Sequence, residues 1–75
     1  MTFEIGWDFP ARAALERIPW PTSGTIAGEV HRFVATLAPS LPSGPYHFRK
    51  AGYLIAVRLD QSLGTVLVLG VYRVR

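Results

Sequence analysis

The chain of 75 residues contains no cysteine, which excludes a disulfide framework and any metal site built from thiolates. Acidic residues number five and are scattered, which disfavours metal-dependent hydrolysis by clustered carboxylates. The two histidines lack the carboxylate spacing of a metal site, and we expect no metal and no cofactor. Neither a membrane-spanning apolar run nor the order of a signal peptide occurs, so we expect a cytoplasmic protein without membrane contact.

Positive charge is concentrated in the C-terminal half. Residues 1–37 carry three basic against four acidic residues, a net charge of −1, whereas residues 38–75 carry five basic residues against one aspartate, a net charge of +4. A localised basic surface favours an anionic partner, but net charge also serves solubility, and the asymmetry alone leaves both readings open. Hydrophobic residues make up 49% of the chain, enough for the core of one small domain over residues 1–75.

Hydrophobic periodicity predicts an α+β fold in the order β-α-α-β-β-β. Alternation of apolar and polar residues predicts four strands, at residues 2–7, 46–50, 53–60 and 65–73. Spacings of three and four predict two helices, with apolar stripes over residues 11–18 and 26–37 and caps at Asp8 and within Thr22–Gly24. We expect the helix hairpin to pack on one face of a mainly antiparallel four-stranded sheet.

Alternation along the strands also predicts which side chains share a face. Tyr53 and Tyr72 should turn toward the helices, and Trp7 and Trp20 should anchor the core and the helix corner. The opposite face should carry four basic side chains around an apolar floor: His47, Arg49, Arg58 and Arg73 around Leu54, Leu67, Leu69 and Val71. A basic face with leucines beneath it suits a surface covered by a peptide or an RNA.

Several segments occur in an order that resembles the RelE/ParE family of bacterial toxins from toxin–antitoxin pairs. They are the opening strand that ends in Trp7, the Ala-Ala-Leu-Glu-Arg-Ile-Pro run, the Arg-x-x-Gly-Tyr turn at residues 49–53, and the closing Val-Leu-Val-Leu-Gly-Val-Tyr-Arg strand. The resemblance covers most of the chain and implies a RelE/ParE-like fold.

The ribosome-dependent members of that family enter the ribosomal A site and cleave mRNA without a metal, by attack of a 2′-hydroxyl on the adjacent phosphate. The resemblance therefore implies an endoribonuclease that inhibits translation. It makes Arg73, Arg49 and His47 candidate catalytic residues, with Arg58 as a substitute cation on the same face. Two further basic residues, Lys50 and Arg75, are candidates for RNA binding.

The chain departs from the family pattern at three places. Leu54 stands where the family often has arginine directly after Gly-Tyr, Pro45 replaces the first of two lysines, and the sequence ends at Arg75, before a segment that often supplies a tyrosine. Enzymatic activity therefore stays open.

The alternatives are a ParE-like gyrase inhibitor, a catalytically silent binding module of the same fold, and an accessory domain of a larger complex. The resemblance implies a cognate antitoxin as partner, and mRNA on the ribosome if the protein is active. Homodimerisation through the leucine-rich face or an edge strand is also open.

Overall fold

The computed structural model describes residues 3–74, and within them two helices pack on a four-stranded sheet. The elements in chain order are β1 (Glu4–Trp7), α1 (Phe9–Glu16), α2 (Thr22–Ala35), β2 (Gly44–Lys50), β3 (Tyr53–Asp60) and β4 (Thr65–Arg73). The predicted order β-α-α-β-β-β is confirmed. Thr2, placed in the first predicted strand, and Arg75 lie outside the described residues.

The strands are ordered β1-β4-β3-β2 across the sheet. β2 pairs with β3 and β3 with β4 in antiparallel fashion, while β1 runs parallel to β4, so the mainly antiparallel sheet that we predicted is confirmed. The last strand is thus inserted between the first strand and the β2–β3 hairpin. No helix between residues 3 and 74 is long and apolar enough to span a membrane.

The core lies between the helices and one face of the sheet. Ten hydrophobic residues are buried there: Ala11, Ile18, Ile26, Val30, Ile55, Val57, Leu59, Val66, Val68 and Val71. Each fully buried aliphatic side chain contributes about 1.5–3 kcal/mol relative to exposure, which makes this layer the main source of stability. The strand positions facing the helices are therefore fixed strongly, because a slip of one residue would expose all of them.

The two helix starts differ. Asp8 caps α1 as predicted, because its carboxylate accepts the backbone N–H of Phe9 at 2.9 Å. The predicted cap within Thr22–Gly24 is wrong, since α2 already begins at Thr22 and its cap position is Pro21, which makes no side-chain hydrogen bond. Both helices also begin earlier than their apolar stripes, which mark buried positions and not the helix ends.

The β3–β4 pairing contains one irregularity that decides the faces of β4. Val68 pairs with Val57 and Gly70 with Ala56, so that Leu69 is an extra residue without a partner in β3. Such a β-bulge shifts the alternation of side chains by one residue beyond it. Before the bulge the buried residues of β4 are Val66 and Val68, and after it the buried hydrophobic residue is Val71, which is 6% exposed.

Candidate functional site

The open face of the sheet, defined as the side opposite the helices, is crossed by three rows of paired residues. The rows run from β2 through β3 to β4, and they are Arg49–Leu54–Tyr72, His47–Ala56–Gly70 and Pro45–Arg58–Leu67. Adjacent rows are about 7 Å apart, because a strand rises about 3.3 Å per residue and each row lies two residues from the next. Long side chains from neighbouring rows can therefore reach one ligand.

The middle row forms the floor of a shallow depression. Ala56 presents only a methyl group there, and the leucines beside it are larger. The depression has a volume of about 510 Å³, and its lining includes Pro45, His47, Arg49, Leu54, Ala56 and Leu69. The small Ala56 side chain beside His47 and Arg49 leaves room for a ligand to approach the sheet at this point.

The structure brings three of the four predicted basic residues together. Arg49, His47 and Arg58 each belong to a different row of the open face, and all three are exposed. The placement of these three on one face with Leu54, Leu67 and Leu69 was predicted by alternation alone. An imidazole can accept or donate a proton, and guanidinium groups bind phosphate by charge-assisted hydrogen bonds, so this trio can handle both a proton and an anionic group.

Arg73 does not lie with this trio, and the prediction that it shares the open face is wrong. It pairs with Tyr53, whose side chain packs against the core, so Arg73 points to the helix-facing side. There it lines a cavity of about 300 Å³ with Ile18, Thr22 and the β2–β3 turn. The bulge at Leu69 is the physical reason, because the prediction assumed that side chains alternate without interruption along β4.

The same shift corrects two other assignments. Val71, predicted in the apolar floor, is buried in the core, and Tyr72, predicted to face the helices, is 55% exposed on the open face.

Trp20, predicted to anchor the helix corner, is 80% exposed, with its ring lying over Gly24. Tyr53 faces the helices as predicted.

Lys50 also lies on the helix-facing side, in one row with Tyr53 and Arg73. Its ammonium group is 3.8 Å from the carboxylate of Glu29 on α2, an ion pair between partly exposed side chains that contributes little to stability. Lys50 and Arg73 nevertheless lie at the same end of the sheet as Arg49. Arg75, the second candidate for RNA binding, lies outside the described residues.

The opposite end of the open face is acidic. A fourth row there joins Glu4 of β1, Thr65 of β4 and Asp60 of β3. The Asp60 carboxylate accepts hydrogen bonds from the Ser62 hydroxyl at 2.7 Å and from the Leu63 N–H at 3.0 Å, and these bonds lower its pKa. Asp60 therefore stays ionised at neutral pH, and the face carries positive charge at one end and negative charge at the other.

The residues between 3 and 74 include no group of three or more histidine, aspartate or glutamate side chains that could hold a metal ion. The ionisable groups of the open face within these residues are imidazole, guanidinium and phenol groups, with the carboxylates of Glu4 and Asp60 at the acidic end.

Tyr72 is the residue of this face that sequence reasoning missed. A signal was present, because an isolated glycine inside a strand pattern, here Gly70, often marks a β-bulge or a close backbone approach. A Cβ placed on Gly70 would lie 2.5 Å from Cζ of Tyr72 and 2.7 Å from its Cε2, so the end of the ring occupies the space above the glycine. Gly70 thus permits the position that the ring adopts.

By sequence, no protein-family model and no curated protein matches the chain. Solved structures match it over nearly its whole length. The isolated RelE toxin from E. coli has a TM-score of 0.80 at 11% identity, covering 99% of this chain and 86% of that one. The toxin–antitoxin complex RelBE2 from Mycobacterium tuberculosis has a TM-score of 0.65 at 21% identity, covering 97% and 99%.

A third structure, the archaeal RelE–RelB complex from Pyrococcus horikoshii, has a TM-score of 0.71 at 10% identity and covers 97% of this chain and 96% of that chain. At such identities the likeness is one of fold, and function does not follow from fold alone. The predicted RelE/ParE-like architecture is confirmed, and this chain has the fold of the RelE toxins.

Proposed function

We propose that this protein is the toxin of a toxin–antitoxin pair and that it cleaves mRNA on the ribosome through the open face of its sheet. The observation that carries the proposal is the β2–β3 register, which places His47, Arg49 and Arg58 on one uncovered face. The RelE fold supports it, because three structures that share this fold are toxins or toxin–antitoxin complexes.

The reaction needs a base, a means of neutralising the phosphate, and an acid. The 2′-oxygen of the RNA attacks the adjacent phosphorus, the proton of the hydroxyl passes to the His47 imidazole, and the bond from phosphorus to the 5′-oxygen breaks. The products are a 2′,3′-cyclic phosphate and a 5′-hydroxyl group, whose proton comes from water or from the imidazolium. A positioned base typically contributes about 10²–10⁴-fold to such a rate.

Arg49 and Arg58 stabilise the negative charge that develops on the phosphate oxygens. Loss of one well-placed donor of this type costs about 10²–10³-fold in rate. Arg49 lies two residues from His47 on the same strand, and Arg58 lies one row away on β3, so the two arginines occupy the rows on either side of His47. The proposal assigns the contacts with the reacting atoms to these three residues.

Arg73 and Lys50 have a different part in the proposal. They lie on the helix-facing side, at the end of the sheet nearest Arg49. From there they attract the RNA backbone by charge and do not contact the reacting phosphate. Arg75 would add to this attraction.

A cognate antitoxin is part of the proposal. Two of the similar structures are complexes of a toxin with its antitoxin. On this chain the antitoxin would cover the apolar and basic open face with an acidic, amphipathic segment, or add a strand to the unpaired edge of β2. An acidic protein from a neighbouring gene that co-purifies with the chain would support it.

The test is induction of the protein alone in bacterial cells, with the His47→Ala, Arg49→Ala, Arg58→Ala triple variant as control. We expect growth arrest with cleaved mRNA for the wild type, and growth with intact mRNA for the variant. Arrest with intact mRNA, filamentation and DNA damage would contradict the proposal and favour gyrase inhibition. Growth of cells that express the wild type would also contradict the proposal and would favour a catalytically silent binding module.

A further inference from the structure

Tyr72 presents an aromatic ring on the open face, outside the hydrophobic core. The bulge at Leu69 turns its side chain away from the helices, and 55% of the residue is exposed. The end of the ring rests over Gly70, which pairs with Ala56 in the lining of the depression. Because more than half of the residue is exposed, the part of the ring beyond Gly70 is accessible to a ligand bound on the open face.

The neighbours of Tyr72 define what that ligand is. Arg49 stands in the same row two strands away, about 10 Å between Cα atoms at ordinary strand spacing, and His47 stands in the adjacent row with Gly70. Unpaired bases stack on aromatic side chains while arginines hold the phosphates, which is the usual arrangement for single-stranded RNA. A nucleotide whose phosphate is held by His47 and Arg49 on β2 extends across β3 toward Tyr72 on β4.

Charge restricts where the strand runs. The row of Glu4 and Asp60 repels phosphates at one end of the face, and Asp60 stays ionised there because its hydrogen bonds lower its pKa. The RNA backbone is therefore confined to the three rows that carry the trio, and Tyr72 lies in the row farthest from the acidic end.

We infer that Tyr72 is a stacking platform for one unpaired base of the RNA strand bound on the open face. The inference rests on the proposed function and deepens it, since it makes an unpaired nucleotide the ligand of the site. A base inside a duplex has no free face for the ring, so the site selects single strands. Tyr72 acts through its ring in this role, and its hydroxyl group is dispensable.

The test measures binding of the purified full chain to a short RNA with 2′-O-methyl groups, which cannot be cleaved, and one 2-aminopurine base. Fluorescence anisotropy gives the Kd, and quenching of 2-aminopurine reports stacking. Tyr72→Phe keeps the ring and should bind within about twofold of the wild type. Tyr72→Leu keeps an apolar cover for Gly70 without the ring, and should weaken binding by ~5- to 150-fold and abolish the quenching.

A second variant displaces the Tyr72 ring without removing it. In Gly70→Ala the new Cβ collides with the end of the Tyr72 ring, which must swing away because it is the movable partner. Quenching should fall although Tyr72 is intact. Phe9→Leu is the matched control, since Phe9 is an exposed aromatic residue (79%) at the start of α1, and it should bind like the wild type. Circular dichroism checks the fold of each variant.

Salt dependence separates stacking from charge. Arg49→Ala should reduce the slope of log K against log salt by about 0.7, as expected for one lost phosphate contact on a single strand. Tyr72→Leu should lower affinity at every salt concentration without changing that slope. An equal slope change in both variants would contradict the stacking role.

The outcomes distinguish the two proposals. If the wild type binds at about 50 mM salt and Tyr72→Leu shows the same affinity and the same quenching, the stacking role is overturned. The RNA-binding role of His47, Arg49 and Arg58 would then still stand. No binding by the wild type under those conditions would overturn the RNA-binding face itself. Weaker antitoxin binding with unchanged RNA binding would assign Tyr72 to a protein interface and also overturn the inference.

Discussion

The bulge at Leu69 makes a reciprocal prediction about two adjacent residues, Val71 and Tyr72. Val71 is 6% exposed in the core, and Tyr72 is 55% exposed on the open face. Val71→Ala removes two buried methyl groups, each worth about 0.8 kcal/mol, and leaves a cavity, for a total loss of ~2–3 kcal/mol. Tyr72→Ala removes a half-exposed ring outside the core and should cost about 1 kcal/mol or less.

Guanidinium chloride unfolding, followed by the fluorescence of Trp7, which packs against the core, measures both free energies of unfolding. The Val71→Ala midpoint should fall with an unchanged m value, and its Tm should drop by roughly 8–20 °C. If β4 had no bulge, Tyr72 would be buried and Val71 exposed, and the larger loss would belong to Tyr72→Ala. Replacing a buried aromatic residue by alanine costs about 3–5 kcal/mol. A large loss for Tyr72→Ala with a small one for Val71→Ala would refute the register.

Three further predictions concern the charges of the sheet. Arg58→Ala should lower RNA cleavage by about 10²–10³-fold, whereas Arg73→Ala on the helix-facing side should have a smaller effect, and equal losses in a single-turnover assay would contradict the separation of the two. Leu54→Arg places a cation between Arg49 and Tyr72, so it should tighten RNA binding and steepen the salt slope by about 0.7 in anisotropy titrations; an unchanged slope would count against RNA on this face. The pKa of Asp60 is lower in the folded protein than in the unfolded chain, so the stability that its carboxylate provides is present above about pH 4 and is lost as the pH falls further. In denaturation series from about pH 5 to about pH 3, the stability difference between the wild type and Asp60→Asn should therefore shrink, and a constant difference would exclude this role.

Much of the fold could be predicted because its signals are local. The bounds of β3 and β4 and the order of the elements follow from apolar periodicity. The turn at Ala51 and Gly52, where both residues have positive φ, follows from the two-residue break with a glycine between two strands. His47, Arg49 and Arg58 were placed correctly because β2 and β3 pair without interruption.

The remainder depends on contacts between distant segments. Pairing of β4 with β3 introduces the bulge, and the bulge exchanges the faces of Tyr72 and Arg73. Gly70 carried a hint of this, but the residue that bulges is decided by fitting Val71 and Val68 into the same core. The parallel position of β1 beside β4 is likewise a matter of how the helices cross the sheet, which no single strand encodes.

Cleavage of RNA on the open face is the central proposal for this protein, and a ribosome assay tests it most directly. Purified protein is added to ribosomes paused on a defined mRNA, and primer extension maps any cuts. We expect cleavage in the codon of the vacant A site by the wild type, a loss of ~10²-fold or more for His47→Ala, and no cleavage without ribosomes. Intact mRNA with the wild type, or equal cleavage by His47→Ala, would contradict it.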